Sequence, residues 1–360
     1  MVSSVPKWRK DSRTSSSSAT AIGRVCLDRA AGALLTTASR FPHPETDQEK
    51  HAEAMASLYT VVWEDDKGRV PIGYMPQHVY EKYIRVSMRI KGELDFYMAT
   101  RTLSILRDRP TEPERTETMA KLTSHWRENQ TFRILKGWRD ELWPVYGNDG
   151  ELLFSMERIA LGLFGVVRYG VHMTAYVEAS EASYGIKIWV PKRAADKSTY
   201  PGMLDNTVAG GLMTGEDPFE CLVREADEEA SLPEAVVRSG AKAAGTVSHL
   251  YITDERSGEA GYVYPEVEWI YDLLLPADVT PAPQDGEVES FSLCTVDEVR
   301  EDMALGLFKP NCAVVLLDFF IRHGILTRDN EPDFDEIVRR VHRTLPFPLP
   351  HGDFGQKANP

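Results

Sequence analysis

The sequence predicts an α/β fold: a sheet covered by helices on both faces, preceded by a smaller α+β domain. From Gly170 onward, segments such as VHMTAYV and IKIWVPK alternate or run apolar as strands do, and further strands are predicted at 244–251, 267–275 and 288–293. Helices predicted at 218–230 and 311–323 bracket these later strands. Strands interleaved with a few helices are typical of a sheet with helices on both of its faces.

The residues before this sheet predict a separate domain over 49–165. The segment 71–83 predicts a strand, a turn at Pro76 and a helix, and 114–129 is polar with a helical period. FRILKGWRDELWPVY and ERIALGLFG supply apolar and aromatic residues for a core. Since this part has no carboxylate, histidine or cysteine cluster at ligand spacing, its sequence indicates only a mixed α and β domain.

The two ends of the chain are predicted to lie outside these domains. Residues 1–48 contain a run of four serines and more basic than acidic residues. Organelle transit peptides and disordered tails share this composition. We therefore expect a cytoplasmic protein, with a mitochondrial location as the alternative if the tail is a targeting peptide. Residues 326–360 are expected to form a C-terminal extension.

Composition argues against several classes of function. The formal net charge of −14 repels a phosphate backbone, so we expect no nucleic-acid partner. No apolar run approaches the roughly 18 residues that span a bilayer, so we expect no membrane partner. The sequence leaves open whether the chain forms a homodimer. The cysteines form no CxxC pair, which argues against a cysteine zinc site; they are Cys26, Cys221, Cys294 and Cys312.

The segment 210–232, GGLMTGEDPFECLVREADEEASL, carries the strongest chemical signal. Asp217 is the predicted N-cap, Pro218 the first helical residue, and Glu220 completes a D-x-x-E arrangement related to the capping box. Apolar residues at helical spacing then give the helix one buried stripe.

Three glutamates, Glu225, Glu228 and Glu229, fall on one face of this helix within about a single turn. Their like charges repel by about 0.2–0.5 kcal/mol per pair, and the C-terminal half of a helix disfavours negative charge. A hard cation such as Mg²⁺ reverses this penalty because it takes oxygen ligands. The alternative is a solvated acidic face.

The spacing G-x5-E-x7-R-E-U-x-E-E-x-G-U, in which U is apolar, is that of the Nudix box. This segment resembles the box at Gly210, Glu216, Arg224, Glu225, Ala226, Glu228, Glu229 and Leu232. The final glycine of the box is replaced by Ser231. A serine in the left-handed conformation expected at that helix end costs about 1 kcal/mol relative to glycine.

The resemblance extends over about residues 55–345 to the Nudix proteins related to thiamine pyrophosphokinase. It is carried by LKGWRDELWPVYG, LFGVVRYGVHMTAYV, STYPGMLDNTVAGG, DGEVESF and FKPNCAVVLLDFFIRHG. The resemblance implies a Nudix α/β/α sandwich with a mixed sheet over 166–325, behind an N-terminal domain of unknown function. It also implies hydrolysis of thiamine diphosphate, or of its oxo and oxy forms, to a monophosphate and phosphate. The segment 325–360 is too short for the kinase domain that follows in some relatives.

Carried over by position, Glu225, Glu228 and Glu229 would ligate Mg²⁺ or Mn²⁺ together with the Gly210 carbonyl, and the metal would orient the diphosphate. Glu225 and Glu228 are thus the predicted catalytic carboxylates, while Glu216 and Arg224 are predicted as their structural partners. The general base varies in position among Nudix enzymes. Glu287 is the first candidate and Glu266 the second, and each has the alternative of a surface charge at a strand end.

Four cations are candidates for binding phosphate oxygens: Lys192, Arg193, Lys197 and Lys309. The alternative for each is a solvated surface position. Candidates for stacking on a flat heteroaromatic ring are Trp189, Tyr251 and Trp269, with core packing as the alternative. His172 and His249 are predicted to be buried core histidines.

Three other functions remain open at this stage. The chain could hydrolyse nucleoside diphosphate compounds such as ADP-ribose, because the box contacts only the diphosphate and the metal. It could be a Nudix fold that senses a diphosphate ligand without turning it over. An isopentenyl diphosphate isomerase is the least favoured, because no cysteine stands just after the glycine-rich turn.

Overall fold

The computed structural model describes residues 41–257 and 259–350. Residues 1–40 of the predicted tail and residues 351–360 of the predicted C-terminal extension lie outside the described residues. Within the described ranges, no helix combines the length and the apolar character needed to cross a membrane.

A four-stranded sheet organises the N-terminal part, in the order β2-β1-β4-β3. β1 pairs antiparallel with β2 and parallel with β4. The β1–β2 turn forms because Asp65 accepts a hydrogen bond from the Lys67 N–H at 2.9 Å and Gly68 adopts a φ of +125°. The strands are β1 (Leu58–Asp65), β2 (Gly68–Pro76), β3 (Leu94–Tyr97) and β4 (Thr102–Ile105).

Among the described residues, five α-helices, four short 3-10 helices and one hairpin complete this part. The hairpin pairs β5 (Leu142–Tyr146) with β6 (Leu152–Glu157). The helices are α1 (Gln48–Ala56), α2 (Gln77–Tyr83), α3 (Met88–Lys91), α4 (Glu112–Glu128) and α5 (Leu161–Phe164). A capping box of Thr111 and Glu114 starts α4, and Trp126 near its end is buried. The strand and helix predicted over 71–83 and the helix predicted over 114–129 are confirmed, but β2 runs directly into α2 at Pro76 without the predicted turn.

A six-stranded mixed sheet forms the second part, in the order β10-β11-β7-β8-β12, with β9 also pairing with β7. β11 runs parallel to β7, and the other pairs are antiparallel. The strands are β7 (Arg168–Glu178), β8 (Ile186–Arg193), β9 (Val208–Gly211), β10 (Ala241–Ile252), β11 (Val263–Leu274) and β12 (Val288–Thr295).

Helices cover both faces of this sheet, which confirms the predicted α/β sandwich. Leu222 and Ala226 of α6 share one apolar core with Val171 of the sheet. The opposite face carries Ile270, which packs in another core with α8 and α9. The helices are α6 (Pro218–Ala230), α7 (Glu234–Gly240), α8 (Val296–Ala304), α9 (Pro310–Arg322) and α10 (Phe334–Val341).

The two parts of the chain are interlocked where β2 passes residues 164–166. The Tyr74 N–H donates to the Gly165 carbonyl at 3.2 Å. A Cβ at Gly165 would lie 2.9 Å from the Tyr74 carbonyl carbon, and one at Gly73 would lie 3.0 Å from the Gly165 oxygen. Tyr264 of β11 belongs to the apolar core of the N-terminal part. Packing therefore crosses the predicted boundary between residues 165 and 166.

The residues after α9 fold back onto the rest of the structure. Ser248 of β10 forms an isolated β-bridge with His342, just beyond α10. The Arg343 guanidinium donates to the Phe41 carbonyl at 2.7 Å and to the Pro42 carbonyl at 2.9 Å. The described part of the C-terminal extension is thus tied to the first described residues.

Candidate active site

Helix α6 begins and ends as its sequence predicts. Asp217 Oδ1 accepts hydrogen bonds from the Phe219 and Glu220 N–H groups at 2.8 and 3.2 Å, which confirms Asp217 as the N-cap. The Glu220 carboxylate pairs with Arg238 of α7 rather than completing a capping box. Ser231 ends the helix with a φ of +51°, in the left-handed conformation predicted there.

Arg224 gathers the acidic side chains around this helix. Its Nε donates to Glu216 Oε1 at 2.9 Å, so the pairing expected from the preceding loop is confirmed. Its Nη1 donates to Glu225 Oε1 at 2.8 Å and to Glu228 Oε2 at 3.0 Å. One guanidinium therefore orients three carboxylates and offsets their mutual repulsion.

Two of the three predicted metal-binding glutamates are largely buried. The Glu225 side chain is 15% exposed, whereas that of Glu228 is 48% exposed. Burial raises the pKa of Glu225 to about 7 against the opposing charge of Arg224. Burial and the neighbouring carboxylates raise the pKa of Glu229 well above its usual range. Glu229 Oε2 accepts a hydrogen bond from the Ala209 N–H at 3.0 Å, which ties α6 to β9.

A cavity of about 270 Å³ opens beside these carboxylates, between the two parts of the chain. Ala209, Gly210 and Gly211 form part of its wall. A Cβ at Gly210 would lie 2.5 Å from Glu225 Oε1, so Glu225 lies directly behind this wall. Other lining side chains are Arg133, Arg139, Trp143, Arg158, Arg168, His172, Tyr200, Tyr251, Tyr264, Glu266, Glu268, Lys309 and Asn311.

Glu268 of β11 is a lining carboxylate with an unused oxygen. Its side chain is 7% exposed, and its Oε2 has no hydrogen-bond partner among the described residues. A Cβ at Gly170 would overlap Glu268 Oε2 and lie 2.8 Å from the Gly210 carbonyl oxygen. The Glu268 Oε2 and the Gly210 carbonyl oxygen thus face the same small space, because Gly170 places no Cβ between them. Buried acceptors of this kind are costly unless a ligand or water satisfies them.

The two predicted general bases differ in their surroundings. Glu266 lines the cavity, but its oxygens accept hydrogen bonds from His249 at 3.1 Å and Tyr251 at 3.2 Å. Arg168 Nη1 also lies 3.5 Å from Glu266 Oε1. Together these interactions lower the pKa of Glu266 to about 2 in spite of its burial. Glu287 does not line the cavity and forms an ion pair with Lys197.

Of the four predicted phosphate-binding cations, Lys309 lines the cavity. The other three do not line it, and each pairs with a carboxylate elsewhere. Lys192 pairs with Glu289 and Lys197 with Glu287. Arg193 is 9% exposed, and its Nη1 lies 2.7 Å from Asp205 Oδ2.

Some of the predicted aromatic and histidine residues line the cavity, and the others do not. Tyr251 lines the cavity, whereas Trp189 and Trp269 pack in or against an apolar core. His172 and His249 are 3% and 0% exposed, which confirms that they are buried. His172 also reaches the cavity wall.

Among the described residues, the only compact group with metal-ligand chemistry is His172, Asp205 and Cys312, rather than the predicted glutamates. This group has internal partners: Cys312 Sγ lies 2.5 Å from Asp205 Oδ1. Burial opposes protonation of His172, but the interactions with Glu268 and Cys312 together outweigh it and raise the pKa of His172 well above its usual range. Arg193 and Lys309 add positive charge beside Asp205. These charges disfavour a cation at this group.

Comparisons with known families agree with the geometry around α6 and the cavity. Residues 170–312 match the NUDIX domain. Residues 87–168 match a domain of unknown function, DUF4743. The α6 carboxylates and Glu268 therefore lie in the NUDIX domain, while Arg139, Trp143 and Arg158 of the cavity wall lie in the DUF4743 domain.

Curated relatives are similar over more than half of the chain. An uncharacterized Saccharomyces cerevisiae protein is 42% identical over 219 residues, which are 59% of this chain and 64% of that protein. In Arabidopsis thaliana, Nudix hydrolase 20, chloroplastic, is 41% identical over 58% of this chain and 54% of its own length. Nudix hydrolase 24, chloroplastic, is 37% identical over 67% of this chain and 62% of its own length. The chain thus spans less than two thirds of each relative.

Sequence reasoning missed two kinds of cavity residue. Glu268 had a usable signal, because it stands two positions from Glu266 in a largely apolar strand and so shares its face. Arg139, Arg158 and Trp143 had none, since nothing local marks them as neighbours of the NUDIX domain helix. Only the packing of the DUF4743 hairpin against β9 brings them there.

Proposed function

We propose that this chain is a divalent-metal-dependent hydrolase that cleaves a diphosphate linkage in a small molecule. One observation carries the proposal: Glu225 of α6 and Glu268 of β11 both approach the backbone of Gly210, which forms part of the wall of one cavity. Glu225 lies behind Gly210, and Glu268 Oε2 is buried without a partner in front of Gly170.

The donor set fits a hard cation. It consists of carboxylate oxygens from Glu225, Glu228 and Glu229 with the Gly210 carbonyl, and Mg²⁺ and Mn²⁺ favour such ligands. The raised pKa of Glu225 and Glu229 marks carboxylates that are not fully compensated by the protein. When bound, the cation would supply positive charge to the diphosphate and orient it for attack.

The side chains would divide the remaining work. Arg224 holds the α6 carboxylates in position, as its three ion pairs indicate. Glu268 accepts the proton of the attacking water through its unpartnered Oε2, as that water oxygen bonds to phosphorus and the bridging P–O bond breaks. Glu266 is less suited to this role because its low pKa weakens it as a base.

For the substrate, we propose thiamine diphosphate or its oxo and oxy forms, on the family resemblance described above. The cavity supports a flat ring, because Trp143, Tyr251 and Tyr264 line it. A nucleoside diphosphate compound such as ADP-ribose is the second candidate, since the same wall accepts other rings. The cytoplasmic location, the alternative of an organelle, and a homodimer remain predictions.

The test is product formation with Mg²⁺ from a panel of thiamine diphosphate, its oxo and oxy forms, ADP-ribose and isopentenyl diphosphate. The full chain is compared with Glu228→Gln. Turnover of the thiamine compounds that the variant loses would support both mechanism and substrate. Turnover of ADP-ribose alone would overturn the substrate. Binding of these ligands without any turnover would favour a diphosphate sensor over an enzyme.

A further inference from the structure

Four arginines from the DUF4743 domain line the cavity. One of them, Arg133, pairs with Glu255, and the other three are Arg139, Arg158 and Arg168. Among the described residues, these last three arginines share two carboxylates in their ion pairs. Arg158 Nη1 lies 2.9 Å and Arg139 Nη1 lies 3.9 Å from Glu141, while Arg168 pairs with Glu266. Arg168 Nε is buried without a hydrogen-bond partner. The wall therefore carries more positive charge than its own carboxylates neutralise.

Trp143 fixes where this positive charge lies. A Cβ at Gly211 would lie 2.5 Å from Trp143 Cη2, so the indole sits directly on the strand that carries Gly210. The guanidinium carbons of Arg158 and Arg168 lie 4.9 and 5.5 Å from the centre of the Trp143 ring. This is within the range of a cation–π interaction. Packing thus holds two guanidiniums beside the glycines of the proposed metal site.

The charges of the two walls act on one another across this short distance. The positive charge of Arg158 favours the ionised form of Glu225. Among the cavity arginines, Arg158 also lies close enough to Arg139 and Arg168 to be repelled by them. An anion between these guanidiniums would relieve that repulsion, and a guanidinium fork matches phosphate oxygens.

We propose that Arg158, together with Arg139, binds the terminal phosphoryl group of the substrate. The DUF4743 domain then completes the active site of the NUDIX domain. A terminal phosphoryl group carries more negative charge than the internal phosphates of a dinucleotide or of ADP-ribose. The site therefore selects compounds with a free diphosphate end. This inference rests on the proposed function, which gives the orientation of the substrate in the cavity.

The direct test is binding of inorganic pyrophosphate to the full chain in EDTA, measured by isothermal titration calorimetry. We expect Arg158→Met to weaken binding at least tenfold. Glu141→Gln should leave binding unchanged or tighten it, because it releases Arg158 from its ion pair. If Arg158 served only to hold Glu141, both variants would weaken binding alike, and the proposal would be overturned.

The matched control is Arg107→Met. Arg107 also lies in the DUF4743 domain and pairs with Glu64 at 3.3 Å and Asp95 at 3.6 Å, but it does not line the cavity. The Arg107→Met variant should bind pyrophosphate with the same affinity as the unchanged chain. If Arg158→Met does not fold, Arg158→Lys replaces it, because lysine keeps the charge and lacks the fork. Binding equal to that of the unchanged chain in Arg158→Lys and in Arg139→Met would overturn the proposal.

Hydrolysis separates this inference from the proposed function. Arg158→Met should raise KM at least tenfold for a substrate with a terminal phosphoryl group and change it less than threefold for ADP-ribose. Arg158-dependent pyrophosphate binding without any turnover would uphold the phosphate site and overturn the hydrolase. The opposite result is that Glu228→Gln abolishes turnover, while Arg158→Met changes neither KM nor pyrophosphate binding. This result would uphold the hydrolase and overturn the phosphate site.

Discussion

The Glu225 carboxylate lies so close to the backbone of Gly210 that a Cβ at position 210 would stand 2.5 Å from Glu225 Oε1. Since Glu225 is also held by Arg224, it has little room to move aside. A side chain at residue 210 would therefore displace a predicted metal ligand. The glycine of this motif has a steric reason that is visible in the structure.

Gly210→Ala should accordingly lower the affinity for Mg²⁺ by about 10–100-fold. It should also lower the free energy of unfolding by about 1–3 kcal/mol through overpacking. Gly211→Ala is the comparison, because its Cβ would meet Trp143 instead of Glu225. Calorimetric titration with Mg²⁺ checks both variants. Equal affinities for the two would contradict the proposed position of the metal.

The metal-free chain should become less stable as pH rises from about 4.5 to 7. In that window folded Glu225, whose pKa is about 7, holds a proton that the unfolded chain has released from its ordinary carboxyl with a pKa of 4.5. The folded state binds more protons, so the free energy of unfolding falls with rising pH, by on the order of 2 kcal/mol for this group. Urea unfolding across the window measures it. Glu225→Gln should flatten the dependence, and so should added Mg²⁺.

Glu268 and Glu266 stand two residues apart and should fail in different ways. Glu268→Gln should lower kcat by about 10²–10⁴-fold, the range for loss of a general base. Glu266→Gln should lower the free energy of unfolding by about 3 kcal/mol, because it leaves the buried Arg168 without its partner. Steady-state kinetics and urea unfolding on both variants provide the measurement. A Glu268→Gln enzyme with full kcat would return the role of base to Glu266 or Glu287.

Ser231→Gly should stabilise the chain. Ser231 has a φ of +51°, which a glycine adopts without strain. The variant loses one solvent-exposed hydrogen bond from Ser231 Oγ to Gln284 at 3.1 Å. We expect a net gain of about 0.5–1 kcal/mol in the free energy of unfolding. Thermal unfolding checks it, and a lower Tm would mean that the Gln284 contact outweighs the backbone strain.

Arg193 should behave as a structural residue and not as a phosphate ligand. Arg193→Met leaves the buried Asp205 without its ion-pair partner, so the free energy of unfolding should fall by about 3–5 kcal/mol. The affinity of the remaining folded protein for pyrophosphate should stay the same. If pyrophosphate binding falls while stability is unchanged, the phosphate role predicted for Arg193 is correct.

Local signals made the helix with the acidic residues predictable to the residue. Asp217 and Pro218 mark its start, and Ser231, at the position of the final glycine of the box, marks its end, all within one short segment. Strand ends were less well predicted: β10 covers 241–252, against 244–251 from the sequence. Pairing with β11 decides those ends, and a partner distant in sequence leaves no local mark.

The same distinction applies to the site. Arg224 and the α6 glutamates could be predicted because one helix brings them together. The sequence predicts that Lys192 and Lys197 bind phosphate oxygens, but in the folded chain they form ion pairs with Glu289 and Glu287, in and next to β12. Arg158 could not be predicted at all. Its place beside the NUDIX domain depends on the packing of Trp143 against Gly211. Nothing in the sequence around either residue indicates this contact.

The interlocking of β2 with residues 164–166 bears on how such a chain can be recombined. A chimera with its junction near residue 166 would take Gly73 and Gly165 from different parent proteins. Both parents would need glycine at these positions, because a Cβ on either residue would clash with the opposite backbone. The turn around Gly185, where a Cβ would meet no atom within 4 Å, is free of that steric constraint. Chimeras built to exchange substrate preference should therefore inherit β2, the β5–β6 hairpin and β7 as one block.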